Sequence, residues 1–250
     1  MGKRHESIGI KQVIRFEWMQ KTVNLLLAGL DAKKIRQELH DFLADKRGNG
    51  SKGERSDQTR TFAVNNLMKI WVSPDSELIF LRDASLSSMR ENSSMALAVH
   101  WGMISAVYPF WFNVARQTGR LLALQEQVTQ MQIIGRMKEQ YGDRQTVSRY
   151  AKYVLRSFVA WGVLKDSKTK GCYEKTPVLS ITDGNQAILM LESALMAAPE
   201  AKGVLRLLLN NPAFFPFQFP VITGDFVSRH NSRIEVVRYG LDEELLRLKG

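Results

Sequence analysis

The alternation of apolar and polar positions carries most information between Tyr141 and Ile181. Wound as a helix, this stretch brings Val147, Ala151, Val154 and Phe158 together, while Gln145, Arg149, Lys152 and Arg156 gather about half a turn away. One face is suited to packing and the other carries positive charge. The pattern predicts a helix over 144–160 that stops at Trp161-Gly162, since glycine commonly sits just past a helix C-terminus. The apolar run Val163-Leu164 reads as a strand and the alternating stretch Thr176–Ile181 as its return. Between them lies a basic tip, Lys165 to Lys175 around Gly171, so the pair is expected as a hairpin with an irregular turn. Upstream, Thr129 is placed to cap a helix with Met131, Ile134 and Met137 on one side, ending at Tyr141-Gly142. Two amphipathic helices meeting at Gly142-Asp143, followed by a hairpin, have the outline of a winged helix-turn-helix, placed at 121–182.

Helical spacing dominates elsewhere. Ile10, Val13, Ile14, Met19, Val23, Leu26 and Leu27 give a helix within 8–28, closed by Gly29. Asp31 opens a second with Ile35, Leu39, Phe42 and Leu43 on its apolar side. The Gly-, Lys- and Ser-rich run Asp45–Glu54 reads as a loop; Lys46, Arg47, Lys52 and Arg55 there either touch phosphate or simply meet solvent. Ser56 or Asp57 caps the next helix, whose apolar side holds Phe62, Val64, Leu67, Met68 and Trp71 and which must finish before Pro74. Ser73-Pro74-Asp75 then starts a short helix through Leu81, with Ser85–Ser94 as a polar interruption.

Residues 95–115 are the most hydrophobic, and their length is near the roughly 20 residues that cross a bilayer. His100, Ser105, Asn113 and Pro109 break the run, which predicts one or two buried helices and makes Trp101, Tyr108, Phe110, Trp111 and Phe112 packing residues. Beyond residue 182, Asp183 caps a helix through Ala198 with Ile188, Leu191 and Leu195 on one side, and Ala201–Leu209 forms a shorter one. Asn210–Pro220, with three prolines and four phenylalanines, is expected as a loop that packs on the core or docks a partner. Arg233–Tyr239 alternates as a strand, and Leu241–Leu248 reads as a terminal helix. The expected architecture is mainly α: a helical bundle at 1–120, the winged helix-turn-helix with its small hairpin at 121–182, and a helical extension at 183–250 holding a short strand or a second small wing.

Charge sharpens this picture. The chain carries 35 Lys and Arg against 25 Asp and Glu, a net +10, with a pI near 9.8. Ten of those bases and four of the acids fall within 136–175, so the window supplies six of the ten surplus charges. Such a concentration favours a polyanion, although composition alone does not separate nucleic acid from an anionic membrane. The single cysteine, Cys172, allows neither an intramolecular disulfide nor a thiolate cluster, and MGKRHESIGIKQ lacks the apolar core of a secretory signal; both fit a reducing cytoplasm and no membrane span. His5, His40, His100 and His230 lack the i, i+4 spacing of a helical zinc site. Gly48, Gly50 and Gly53 lack the strand and the Gly-Lys-Ser/Thr ending of a phosphate loop, and no Gly-x-Ser-x-Gly elbow is present. Asp75 with Glu77, and Asp242 with Glu243 and Glu244, read as acids at helix starts. No catalytic residue, metal or cofactor is expected.

The expected partner is double-stranded DNA. Gln145, Arg149, Tyr153 and Arg156 would approach the groove beside Arg144, with Lys152, Lys165, Lys168, Lys170 and Lys175 on phosphates. A protein-docking subunit of a multiprotein complex, or an RNA-binding or transcription-regulatory module, would use the same kind of scaffold. In three places, Arg60-Thr61-Phe62, Tyr108-Pro109-Phe110, and Val154-Leu155-Arg156 leading to Trp161-Gly162-Val163-Leu164, the chain resembles the BrxA family. These are small DNA-binding proteins of BREX phage-defence loci. The resemblance implies a phage-defence setting, with other subunits of a defence complex as partners; the C-terminal part and the loop near residue 50 lie outside it.

Overall fold

In a computed structural model that describes residues 4–44, 56–92, 94, 96–239 and 243–249, the chain is mainly α-helical, at 61% helix. The first half holds α1 (Phe16–Leu27), α2 (Ala32–Ala44), α3 (Asp57–Leu67), α4 (Ile79–Glu91), α5 (Ala96–Val107) and α6 (Pro109–Leu122). Strand β1 (Gln127–Thr129) then precedes α7 (Gln130–Tyr141) and α8 (Gln145–Ala160), followed by β2 (Leu164–Asp166), β3 (Cys172–Lys175) and β4 (Leu179–Ser180). The remainder is α9 (Gly184–Ala197), β5 (Lys202–Val204), α10 (Leu205–Leu209), β6 (Phe217–Gln218), α11 (Gly224–His230), β7 (Ile234–Tyr239) and β8 (Glu243–Leu248).

A helix apolar on every side has no face to offer water, and α5 accordingly lies at the centre with every residue from Ala98 to Val107 buried. Gly102 lets α9 approach so closely that a methyl there would sit 3.3 Å from Ser193 Oγ. Pro109 starts α6 at its first turn, where its missing N–H is no loss, so the long hydrophobic run becomes two buried helices hinged at Tyr108. No helix among the described residues is long and apolar enough to cross a membrane. Aromatic rings from both helices form the heart of the core: Trp101 stacks on Phe158 at 4.9 Å, and Trp111 meets Phe158 and Trp161 at 4.9 and 5.2 Å. The phenylalanines of 211–219 join the same cluster, since Phe215 and Phe217 face Trp101 and Phe214 faces Phe112. Trp101 Nε1 donates to the Ala213 carbonyl at 3.2 Å. A methyl at Gly119 would stand 1.9 Å from the Pro212 carbonyl oxygen, so only glycine lets this segment lie on α6.

Several expected elements change form. Ile10, Val13 and Ile14 are buried but not helical. The Ile14 N–H donates to Ser157 Oγ and its carbonyl accepts from Trp161 Nε1, both at 2.9 Å, so the backbone groups a helix would use are committed to α8. Ser56 is the cap of α3, accepting from the Thr59 N–H. That helix widens into a π-helical turn over Met68–Val72 before Ser73-Pro74. α4 runs to Glu91 instead of stopping at Leu81, because Ser85 and Met89 continue the buried face of Leu81 at four-residue spacing. Lys46, Arg47, Lys52 and Arg55 lie outside the described residues.

The C-terminal part is less helical than expected. Lys202–Val204 is a strand, and only Leu205–Leu209 of the expected helix is helical. The described part of the expected terminal helix, Glu243–Leu248, is β8, lying antiparallel between β5 and β7 in a three-stranded sheet. Pairing with β7 along all six residues outweighs the weak helical spacing of its leucines, of which Leu246 is fully buried. Glu244 therefore starts no helix of its own; it accepts the Gly224 N–H of α11 at 2.7 Å.

Two buried polar groups generate tests. His100 sits in α5 edge-on to Phe16 and Trp71, at 5.3 and 5.2 Å, with Nε2 3.2 Å from Gln20 Oε1. Burial lowers its pKa from 6.5 to about 3, so the ring is neutral and the unfolded chain binds a proton that the folded chain refuses. Stability is then lost as pH falls from 6.5 towards 3, with a slope of up to about 1.4 kcal/mol per pH unit. Urea unfolding between about pH 4.5 and pH 6 should show this slope in the native chain and lose it in His100→Phe; equal slopes would contradict the assignment. Glu192, fully buried on α9, is held by Arg233 and by Asn231 Nδ2 at 2.7 Å, beside a cavity of about 1210 Å³. Arg233→Met should destabilise by roughly 3 kcal/mol because it strands the carboxylate, whereas Arg233→Met with Glu192→Met should recover most of the loss.

Candidate nucleic-acid interface

The cationic face exists because the opposite face of α8 has a fixed place to go. Val147, Ala151, Val154, Leu155 and Phe158 are fully buried, and the helix ends as the spacing predicts, with Gly162 at φ +71° and the Val163 N–H returning to the Phe158 carbonyl at 3.0 Å. Before it, Thr129 closes a capping box with Gln132, which starts α7 at Gln130 and turns Ile133 and Met137 inward. Met131, expected inside with Ile134 and Met137, is 82% exposed, and Ile134 is half-buried. Gly142, at φ +87°, makes the tight link between α7 and α8.

The hairpin is shorter than its sequence suggests. Gly171 at φ +79° turns the chain, and the returning strand is Cys172–Lys175 rather than Thr176–Ile181. Residues 176–181 lead away, and Leu179–Ser180 pairs in parallel with Phe217–Gln218. A third strand, β1, closes the sheet in the order β1-β3-β2 and places Val128 opposite Tyr173, both buried. Three residues are too few to show alternation, which is why β1 escaped the sequence reading.

The structure gathers most of the expected contact residues but gives them unequal freedom. Gln145, Arg149 and Lys152 are exposed on the outer face of α8, around a shallow hollow that also includes Lys138, Asp143 and Ser148. Tyr153 is half-buried and stacks on Tyr150 at 6.2 Å, while the Arg149 guanidinium lies 5.4 Å over the Tyr150 ring. Arg144 flanks the first turn and donates to the Tyr141 carbonyl at 2.8 Å. Arg156, expected at the groove, instead bonds Asp166 at 2.5 Å. Partial burial opposes its charge, but Asp166 outweighs that and holds its pKa above the usual value. Lys165 faces Glu174 across the hairpin at 2.9 Å. Lys168 and Lys170 project from the turn, but Lys175 stands opposite Leu164 at the hairpin base, lining a hollow with Val178 and Phe217 and away from the tip.

Three of the four acids in the window 136–175 are consumed internally: Asp143 by Lys138 at 2.7 Å, Asp166 by Arg156 and Glu174 by Lys165. Arg144, Arg149, Lys152, Lys168, Lys170 and Lys175 form no ion pair among the described residues. Arg136, which the sequence reading passed over as a contact, is likewise exposed and unpaired there. Among the described residues no group of three His, Cys, Asp or Glu side chains comes together as a metal site. Comparison with protein-family models, curated proteins and solved structures gives no match.

Proposed function

We propose that residues 127–175 form a winged helix and that the protein is a non-enzymatic binder of duplex DNA. The observation that carries this reading is the outer face of α8, where Gln145, Arg149 and Lys152 stand exposed on a helix held rigidly from behind. The major groove is about 12 Å wide and admits one helix, and recognition helices of this class present their N-terminal turns to base edges. Gln145 and Arg149 then read bases, the amide suited to adenine and the guanidinium to guanine. Arg144 and Lys152 take flanking phosphates, and Lys168 and Lys170 at the turn hold the backbone beyond. Arg156 and Lys165 act chiefly by fixing the hairpin against α8, through Asp166 and Glu174.

The chain's resemblance to the BrxA family supports a phage-defence setting, in which the DNA binder works beside other subunits. A docking role has a separate observation in its favour: Val178, Leu179, Leu207 and Val221 are large apolar residues left exposed, Val221 at 94%. The phenylalanines of 211–219 do not supply that surface, since Phe214 and Phe217 point inward. A duplex RNA target is disfavoured by the same helix, because A-form RNA has a major groove too narrow to receive it.

The test is fluorescence anisotropy of a random-sequence duplex across a salt series. Arg149→Glu with Lys152→Glu should weaken binding at least about tenfold and reduce the slope of log affinity against log salt by about two, one for each lost phosphate-type contact. Unchanged affinity in that variant eliminates the α8 face.

A further inference from the structure

α6 is buried on nearly every side, yet one stripe of it is polar. Asn113, Arg116, Gln117 and Arg120 recur at three- and four-residue spacing and share a face. Asn113 Nδ2 donates to Tyr141 Oη at 2.6 Å, which seats the end of α7 on this stripe. The carbonyl of the same Tyr141 accepts from Arg144, so the stripe joins the start of α8 through one residue.

The stripe is electrostatically incomplete. Arg116 Nε is shut off from solvent without a hydrogen-bond partner, and so is Oε1 of Gln117, a side chain only 8% exposed. Buried polar groups are paired in the great majority of cases, so two orphans side by side point to a missing ligand. Arg116 and Arg120, one turn apart, form no ion pair among the described residues. Burial first, and then the neighbouring Arg120, pushes the Arg116 pKa down, as expected where two guanidiniums share a surface with no anion between them. The Tyr141 hydroxyl accepts from Asn113 and keeps its own proton to donate, burial holding its pKa above the usual value.

We propose that Arg116, Arg120 and the Tyr141 hydroxyl form a second phosphate subsite that grips the DNA backbone beside the start of α8. This rests on the duplex-binding reading above. The chemistry favours a phosphodiester: two forked guanidiniums one turn apart and a phenolic O–H offer several donors and no acceptor to a tetrahedral oxyanion. The position agrees with helix-turn-helix docking, in which the elements preceding the recognition helix lie across the backbone. The subsite carries no base information, so its loss should weaken every sequence alike.

The experiment titrates the full chain with a random-sequence duplex and with a second duplex of unrelated sequence, each across a salt series. Arg116→Gln with Arg120→Gln should lower affinity about tenfold for both duplexes and reduce the salt slope by about two. Arg120→Glu alone, a change at an exposed position, gives the same direction if the double variant does not fold. If wild-type chain binds, Arg149→Glu with Lys152→Glu weakens it, and the α6 variants keep native affinity and slope, the subsite is refuted while the α8 reading stands. If wild-type chain shows no salt-dependent duplex binding, both fall together.

Discussion

The packing of Phe158 and Trp161 against Trp101 and Trp111 fixes everything that follows. Each aromatic pair of this kind contributes roughly 0.5–1.5 kcal/mol beyond the area it buries, and several share this cluster. The two hydrogen bonds from Ile14 to Ser157 and Trp161 lock the same end of α8 to the N-terminal segment. With that end anchored, a helix has no rotational freedom left. Its apolar stripe goes inward, and Gln145, Arg149 and Lys152 have nowhere to go but out. The cationic face follows from the aromatic core, not from the charges themselves.

Electrostatics adds direction to that scaffold. Exposed ion pairs are worth about 0–1 kcal/mol each, so Arg156–Asp166 and Lys165–Glu174 do little for stability. Their effect is on the surface field. They neutralise the acids nearest the helix and set the hairpin angle, leaving Arg144, Arg149, Lys152, Lys168 and Lys170 to project an uncompensated positive potential. A surface with this potential steers a polyanion before any contact forms, and the steering weakens as salt screens it.

Much of this was legible in the residues because the relevant signals are local. The burial of Val147, Ala151, Val154 and Phe158, the stop at Gly162, the cap at Thr129 and the break at Pro109 each depend on spacing or on one residue's backbone chemistry. What escaped depends on distant partners. Ile10 to Ile14 have helical spacing, but Ser157 and Trp161, more than 140 residues on, claim their backbone groups. Glu243–Leu248 reads as helix until β7 and β5 flank it. The ion pairing of Arg156 was likewise invisible, since Asp166 lies in the next strand and only the geometry of Gly162 brings it alongside. The polar stripe on α6 was present in the spacing of Asn113, Arg116, Gln117 and Arg120, but it lay inside a segment whose hydrophobicity drew attention to packing alone.

The most direct measurement is hydrogen–deuterium exchange of the full chain with and without duplex DNA at low salt. Helix interiors already exchange slowly, so the informative amides are those at the start of α8 and in the turn over 167–171. Slowed exchange at both places, disappearing when salt is raised, is the expected result. Protection confined to the exposed apolar surface around Val178, Leu207 and Val221, or none anywhere, would contradict the claim that the outward face of α8 meets nucleic acid.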